Sequence, residues 1–145
     1  MKRVQLDSST VVAAIYVSHP KHSRAFAWLE RIKDGEFQGV LSAHSLAEVF
    51  SILSGMPVHP PMTPHWVRQT IKTDILPFFE IVELSAEDYL EVIERNTQFN
   101  LRGGIIYDAL IVYAGRKANV DLIVTLNLRH FHMVAPEFAA NIVEP

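Results

Sequence analysis

Arg3-Val4-Gln5-Leu6-Asp7-Ser8-Ser9-Thr10-Val11-Val12-Ala13-Ala14-Ile15-Tyr16 is the stretch whose reading decides the fold. Arg3 to Leu6 predicts a short strand. It opens directly into Asp7, Ser8, Ser9 and Thr10, whose carboxylate and hydroxyls can cap a helix over Val11 to Tyr16. A strand that passes through a polar turn into a helix is the repeating unit of a parallel sheet, where neighbouring strands are joined by crossovers rather than hairpins.

The same alternation continues outward from that unit. His22 to Asp34 reads as a helix with Ala25, Phe26, Trp28, Leu29 and Ile32 on its apolar stripe and Gly35 as its stop. Gln38 to Leu41 predicts a strand, and Ser42 can cap a helix over His44 to Leu53 that ends at Gly55. Met56-Pro57-Val58-His59-Pro60-Pro61-Met62 is too rich in proline to be regular. Thr63-Pro64 then carries the cap and first-turn proline of a helix running through Trp66, Val67 and Ile71 to about Leu76, with Pro77 as its end.

Phe78 to Leu84 predicts a strand, and Ser85 caps a helix to about Phe99 with Asp88 at the capping-box spacing. Gly103-Gly104 precedes a strongly apolar helix from Ile105 to Lys117, Asp121 to Thr125 is a short strand, and Asn141 to Val143 adds another. The expectation is a single α/β domain over residues 1–145, with a mainly parallel central sheet flanked by helices.

Composition narrows the function classes. A chain of 145 residues, 49% hydrophobic and 20% charged, can bury a core without staples. It has no cysteine, which removes disulfides, thiolate nucleophiles, iron–sulfur clusters and cysteine zinc sites, so any metal must be held by oxygen or imidazole. No segment approaches the ~18 apolar residues of a membrane span, and a cytoplasmic protein is expected. The net charge of -3 argues against a broad basic surface for nucleic acid, so any such contact must be local.

In open parallel sheets ligands bind beyond the carboxyl ends of the strands, and three polar clusters fall there: Asp7 to Thr10, Ser42 to Glu48, and Thr125 to Arg129. Asp7 has an ordinary reading as a helix cap, but Ser8 or Ser9 could cap equally well and leave the carboxylate to face a ligand. Glu48 lies among Leu46, Val49, Phe50, Ile52 and Leu53 in a helix expected to be largely buried, and no Lys or Arg occurs between Lys33 and Arg68 to pair with it.

Asp108 is the only charge in Ile105-Ile106-Tyr107-Asp108-Ala109-Leu110-Ile111-Val112-Tyr113-Ala114. The helix dipole at its position supplies about 0.3–1 kcal/mol, which is small beside the desolvation of an unpaired carboxylate. If the three acids converge, they repel one another unless a hard divalent cation sits between them. An oxygen-only set favours Mg2+ or Mn2+ over zinc and points to phosphoryl chemistry.

Taken in order, Val4-Gln5-Leu6-Asp7-Ser8-Ser9, Ser42-Ala43-His44-Ser45-Leu46-Ala47-Glu48-Val49, Gly104-Ile105-Ile106-Tyr107-Asp108-Ala109-Leu110 and Leu122-Ile123-Val124-Thr125-Leu126-Asn127 with Phe131 resemble the PIN-domain family. The likeness is nearest to the VapC-like ribonuclease toxins of type II toxin–antitoxin pairs. The resemblance covers essentially the whole chain and implies a Mg2+- or Mn2+-dependent endoribonuclease, a hydrolase of RNA phosphodiester bonds. In it Asp7, Glu48 and Asp108 are catalytic acids around the metal, and Ser9 and Thr125 support them. It also implies a homodimer and a small antitoxin that blocks the acidic pocket.

Many members of the family carry a fourth acid where this chain has Asn127, which can ligate through its carbonyl oxygen but brings no charge. That departure motivates the rival reading, a PIN fold that binds RNA or a protein without turnover. A phosphatase built on a strand-end aspartate nucleophile needs a second Asp two residues later, where this chain has Ser9. His130 and His132 flank Phe131 with the spacing of a strand or loop, which speaks against a histidine metal site. Arg102, Arg116 and Arg129 are candidates for RNA phosphate contacts, and Trp28 and Trp66 are first expected in the core.

Overall fold

A computed structural model describes residues 1–145. Five strands, β1 (Arg3–Leu6), β2 (Gln38–Ser42), β3 (Phe79–Val82), β4 (Leu122–Val124) and β5 (Ile142–Val143), form one sheet in the order β3-β2-β1-β4-β5. Every neighbouring pair is parallel, with Val4 opposite both Gly39 and Leu122. The expected architecture is therefore present, and its sheet is wholly parallel. Such a sheet must be covered on both faces, which is why its strands are short apolar runs.

Alternation along the strands divides the core in two. Val4, Leu6, Leu41, Phe79 and Val124 face α1 (Ser8–Ile15), α2 (His22–Lys33), α3 (Ala43–Ser54) and α4 (Pro64–Thr70). Val40, Val82, Ile123 and Ile142 face α5 (Ala86–Gln98), α6 (Ile105–Lys117) and α7 (Leu128–Val134). The chain winds outward from β1 to β3 on one side and then crosses to β4 and β5 on the other. The direction of winding therefore switches between β1 and β4, and the carboxyl ends of those two strands flank the crevice where doubly wound sheets bind ligands.

Most local signals hold. Ser85 and Asp88 form a reciprocal capping box, Thr63 caps α4 through the Trp66 N–H, and Gly35 adopts φ +81 just past α2. Four expectations need correction. The helix begun at Pro64 is regular only to Thr70, then widens into a π turn over Ile71–Ile75 and tightens into a 3-10 turn over Leu76–Phe78, since Pro77 supplies no N–H to continue the ladder.

The segment around His130 and His132 is helix α7 rather than strand or loop, because Phe131 and Val134 stand three apart and both insert into the core. Helix α3 is not largely buried. It sinks Ser45, Val49 and Leu53 against α1, α4 and β2 but leaves Phe50 and Ile52 exposed. Trp66 is likewise 44% exposed, while Trp28 is half-buried and stacks on Phe37.

One contact fixes α6 to the sheet. Gln5 is fully buried on β1, and its Nε2 donates to the Ile111 carbonyl at 2.8 Å. Gly115, one turn further along α6, makes room for it, since a Cβ there would stand 2.0 Å from Gln5 Oε1. No helix is long and apolar enough to cross a membrane.

Candidate metal centre

Asp7 stands at the carboxyl end of β1 with 2% exposure, and its carboxylate is held on every side. The Thr10 N–H donates to Oδ1 at 2.9 Å, the Ser9 hydroxyl lies 2.8 Å from both oxygens, and Thr125 Oγ1 donates to Oδ2 at 2.6 Å. Of the caps the sequence offered, Asp7, Ser8 or Ser9, Asp7 is the one that caps α1. Capping uses one oxygen through one backbone N–H. The other serine and threonine contacts orient the carboxylate without supplying charge.

Thr125 comes from the end of β4, so the hydrogen bond to Asp7 spans the switch between the two halves of the sheet. The Thr125 hydroxyl also accepts the Asn127 N–H, and the Leu126 N–H donates to Ser9. The two supporting residues read from sequence, Ser9 and Thr125, therefore both act on Asp7. Burial pushes the Asp7 pKa up, and the hydrogen bonds from Thr125, Thr10 and Ser9 offset that only in part.

Glu48 reaches the same region from α3 and is half-buried, its side chain 33% exposed, so burial weighs less on it than the sequence suggested. Ser8 Oγ lies 2.8 Å from Glu48 Oε1 and 3.0 Å from Ser45 Oγ. With one proton to give, Ser8 donates to the carboxylate and accepts from Ser45. His44 Nε2 lies 3.7 Å from the same Glu48 oxygen, one helical turn away.

Asp108, on the first turn of α6, has a side chain 19% exposed, with His130 Nδ1 3.3 Å from Oδ2. Burial raises its pKa, the charges of Asp7 and Glu48 raise it further, and His130 works in the opposite direction. Three acids from three segments therefore feel one another's charge at the end of the sheet. No Lys or Arg forms an ion pair with any of them; their only such partners are the two histidines.

The donor set suits a hard cation, because it offers carboxylate and hydroxyl oxygens around a buried negative charge that lacks a cationic partner. The side chains as placed do not form a ready cluster of three ligands about one point. Each is turned toward a local partner: Asp7 toward Ser9 and Thr125, Glu48 toward Ser8, and Asp108 toward His130.

A PIN-domain family model matches residues 4–135. The chain belongs to the PIN-domain family. It is 23% identical over 117 residues to ribonuclease VapC27 of Mycobacterium tuberculosis, covering 81% of this chain and 80% of that one. Among solved structures, VapC20 of Mycobacterium tuberculosis, a toxin that cleaves the sarcin–ricin loop, superposes with TM-score 0.64 at 16% identity over 83% of this chain and 86% of its own. FitAcB from Neisseria gonorrhoeae gives TM-score 0.67 at 16% identity over 98% and 96% of the two chains.

The remaining candidates of this PIN domain fall into place unevenly. Asn127 occupies the N-cap position of α7, exposed, with no side-chain capping bond. Arg102 and Arg129 are exposed. Arg116 is not near the acids. It pairs with Glu137 on the wall of a cleft of about 620 Å3 between α5 and α6, which none of Asp7, Glu48, Asp108 or Asn127 lines.

Sequence reasoning placed Ser8, Thr10, His44 and Ser45 in the polar clusters and weighed His130 with His132, but missed the contacts each makes to the acids and their neighbours. The spacing of His44 and Glu48, one turn apart, was a readable signal. The approach of His130 to Asp108 depends on how α7 packs against α6 and left none.

Proposed function

We propose that this chain is a divalent-metal-dependent endoribonuclease that hydrolyses RNA phosphodiester bonds as the toxin of a toxin–antitoxin pair. The observation that carries this reading is the buried Asp7 carboxylate, set among hydroxyls beside two further acids with no Lys or Arg to neutralise them. Membership of the PIN-domain family and the likeness to VapC27 support it.

Asp7, Glu48 and Asp108 would hold Mg2+ or Mn2+, with the Asn127 carbonyl as a further uncharged donor. A metal held there orients and activates water and offsets charge on the phosphate oxygens. The protein's own part is to orient. Ser9, Thr10 and Thr125 fix both oxygens of Asp7, Ser8 fixes Glu48, and His130 faces Asp108. A small antitoxin covering the acidic pocket, a homodimer and a cytoplasmic setting complete the proposal.

The test is to incubate the purified chain with structured RNA, with and without Mg2+ or Mn2+, beside Asp108→Asn. Cleavage that needs the metal and is lost in Asp108→Asn supports the reading. RNA binding without cleavage would instead make the chain a non-catalytic PIN module, the reading that Asn127 favours. Cleavage that needs neither metal nor Asp108 would rule the metal mechanism out. Isolation of the chain with a small protein encoded beside it tests the antitoxin.

A further inference from the structure

Two rings bridge the helices that carry Glu48 and Asp108. His44 on α3 and Tyr107 on α6 stack with centroids 5.5 Å apart and an interplanar angle of 6°. His44 Nε2 is 3.7 Å from Glu48, and Tyr107 immediately precedes Asp108, so the stacked pair stands on the rim of the acidic site. Core packing does not account for it, because Tyr107 is 52% exposed and the near-parallel imidazole, 5.5 Å away between centroids, is offset from its ring.

The two glycines before the helix add no bulk beside the tyrosine. A Cβ on Gly103 would meet nothing within 4 Å, and one on Gly104 would reach only the Tyr107 ring edge at 4.0 Å. A half-exposed aromatic ring, held by an offset stack on His44 and preceded by two glycines, is suited to a flat partner.

We propose that the outer face of Tyr107, backed by His44, binds one unpaired nucleobase of the RNA strand whose phosphate the acids engage. This rests on the nuclease reading and adds a subsite to it. The charge balance favours stacking as a source of affinity, since a chain of net charge -3 has little basic surface with which to hold a phosphate backbone. Bases in a duplex have their faces covered by neighbours. A base that stacks on a side chain must therefore be unpaired, and any base can do so because each has a π face.

The experiment uses the full chain carrying Asp7→Asn, which removes the buried charge and with it turnover, in the presence of Mg2+. Binding is measured to an unstructured 12-nucleotide RNA and to the same sugar–phosphate strand lacking every base. Adding Tyr107→Ala should weaken binding to the RNA roughly tenfold or more and leave the abasic strand unaffected, with Tyr107→Phe restoring RNA binding.

Tyr107→Trp gives a second readout that does not depend on the truncated variant being well folded, since a stacked base should quench the new indole on RNA and not on the abasic strand. The proposal is overturned if Tyr107→Ala binds RNA within twofold of its parent, if RNA and abasic strand bind equally, or if the indole is unquenched in the bound state. The nuclease reading is judged separately, by metal-dependent cleavage in the unsubstituted chain, so either can fail while the other stands.

Discussion

The two ends of α6 manage charge in opposite ways. At the carboxyl-terminal end Glu137 and Asp88 each have a cation. Glu137 lies between Arg95 and Arg116, 2.7 Å and 2.5 Å away, and Asp88 meets Lys117 at 2.6 Å. The Lys117 ammonium, with the Ser85 backbone, brings the Asp88 pKa down to about 2. Burial works against Glu137, but its own backbone N–H and the two arginines outweigh it and hold its pKa low.

At the amino-terminal end the partners are hydroxyls and histidines, and Asp7 and Asp108 have raised pKa values, with burial as the main cause in both. The lesson is one of use. The acids at the carboxyl-terminal end are paired with Lys or Arg within the fold, whereas those at the amino-terminal end lack such a partner and carry a burial cost that, in the proposed function, a bound cation would offset.

The largest expected effect tests that contrast directly. Asp7→Asn and Asp108→Asn should each lower metal-dependent RNA cleavage by roughly 100-fold or more, since loss of a mere supporting contact to a metal ligand already costs about 10–100-fold. Asp7→Asn should at the same time raise the melting temperature measured in chelator, because a neutral amide avoids the burial of charge. A substitution that destroyed activity and also destabilised the metal-free chain would show that Asp7 is chiefly a structural cap.

Both ends of α6 share one seat, where Gln5 bonds the Ile111 carbonyl against Gly115. Replacing a mid-helix glycine by alanine ordinarily gains up to about 1 kcal/mol. Here the new methyl would overlap Gln5 Oε1, and moving that side chain breaks a buried hydrogen bond. Gly115→Ala should therefore cost roughly 1–2 kcal/mol net in urea unfolding. The shorter Gln5→Val should recover part of that loss in the double variant, and a rise in stability from Gly115→Ala alone would refute this account of the seat.

The pH dependence separates the ends by sign. Asp88 has a folded pKa below its ordinary 3.8, so its stabilisation is present above 3.8 and lost as pH falls through about 2. Asp7 and Asp108 have folded values above 3.8, so their contribution is most favourable below 3.8 and is lost as pH rises through the folded values. In thermal melts without metal, the gap between the native chain and Asp88→Asn should close toward pH 2. The gap to the more stable Asp7→Asn should open as pH rises from 3.8. Parallel curves for both variants would erase the contrast.

How much of this was legible in the sequence follows the range of each interaction. The β1–α1 junction, the Ser85 capping box and the bounds of α6 depend on neighbours within a few residues, and periodicity and cap chemistry place them. Asp108 was marked by its isolation in an apolar helix, a property of the local string. Glu48 was marked for two reasons, of which the lack of a Lys or Arg partner holds and the expected burial of its helix does not, since periodicity could not show that α3 would leave Phe50 and Ile52 exposed. The Thr125 bond to Asp7 and the approach of His130 to Asp108 join residues from opposite ends of the chain or from separately packed helices, and no local pattern encodes them. Arg116 shows the limit most plainly. A basic residue on the acid-bearing helix invited a role near the acids, yet it stands two turns from Asp108 and is occupied by Glu137.

The smallest expected effect falls on that last pair. Glu137→Gln removes the shared partner of Arg95 and Arg116, but all three side chains are about two-fifths exposed, so water replaces much of what is lost. Arg95 and Arg116 also keep their positions over the Phe99 and Phe138 rings, 4.9 Å and 5.3 Å from the centroids. The cost should be about 0–1 kcal/mol, shrinking with added salt, with RNA cleavage unchanged. A loss of cleavage in Glu137→Gln would mean that the paired end of α6 communicates with the acids, and the division of labour along the helix would have to be abandoned.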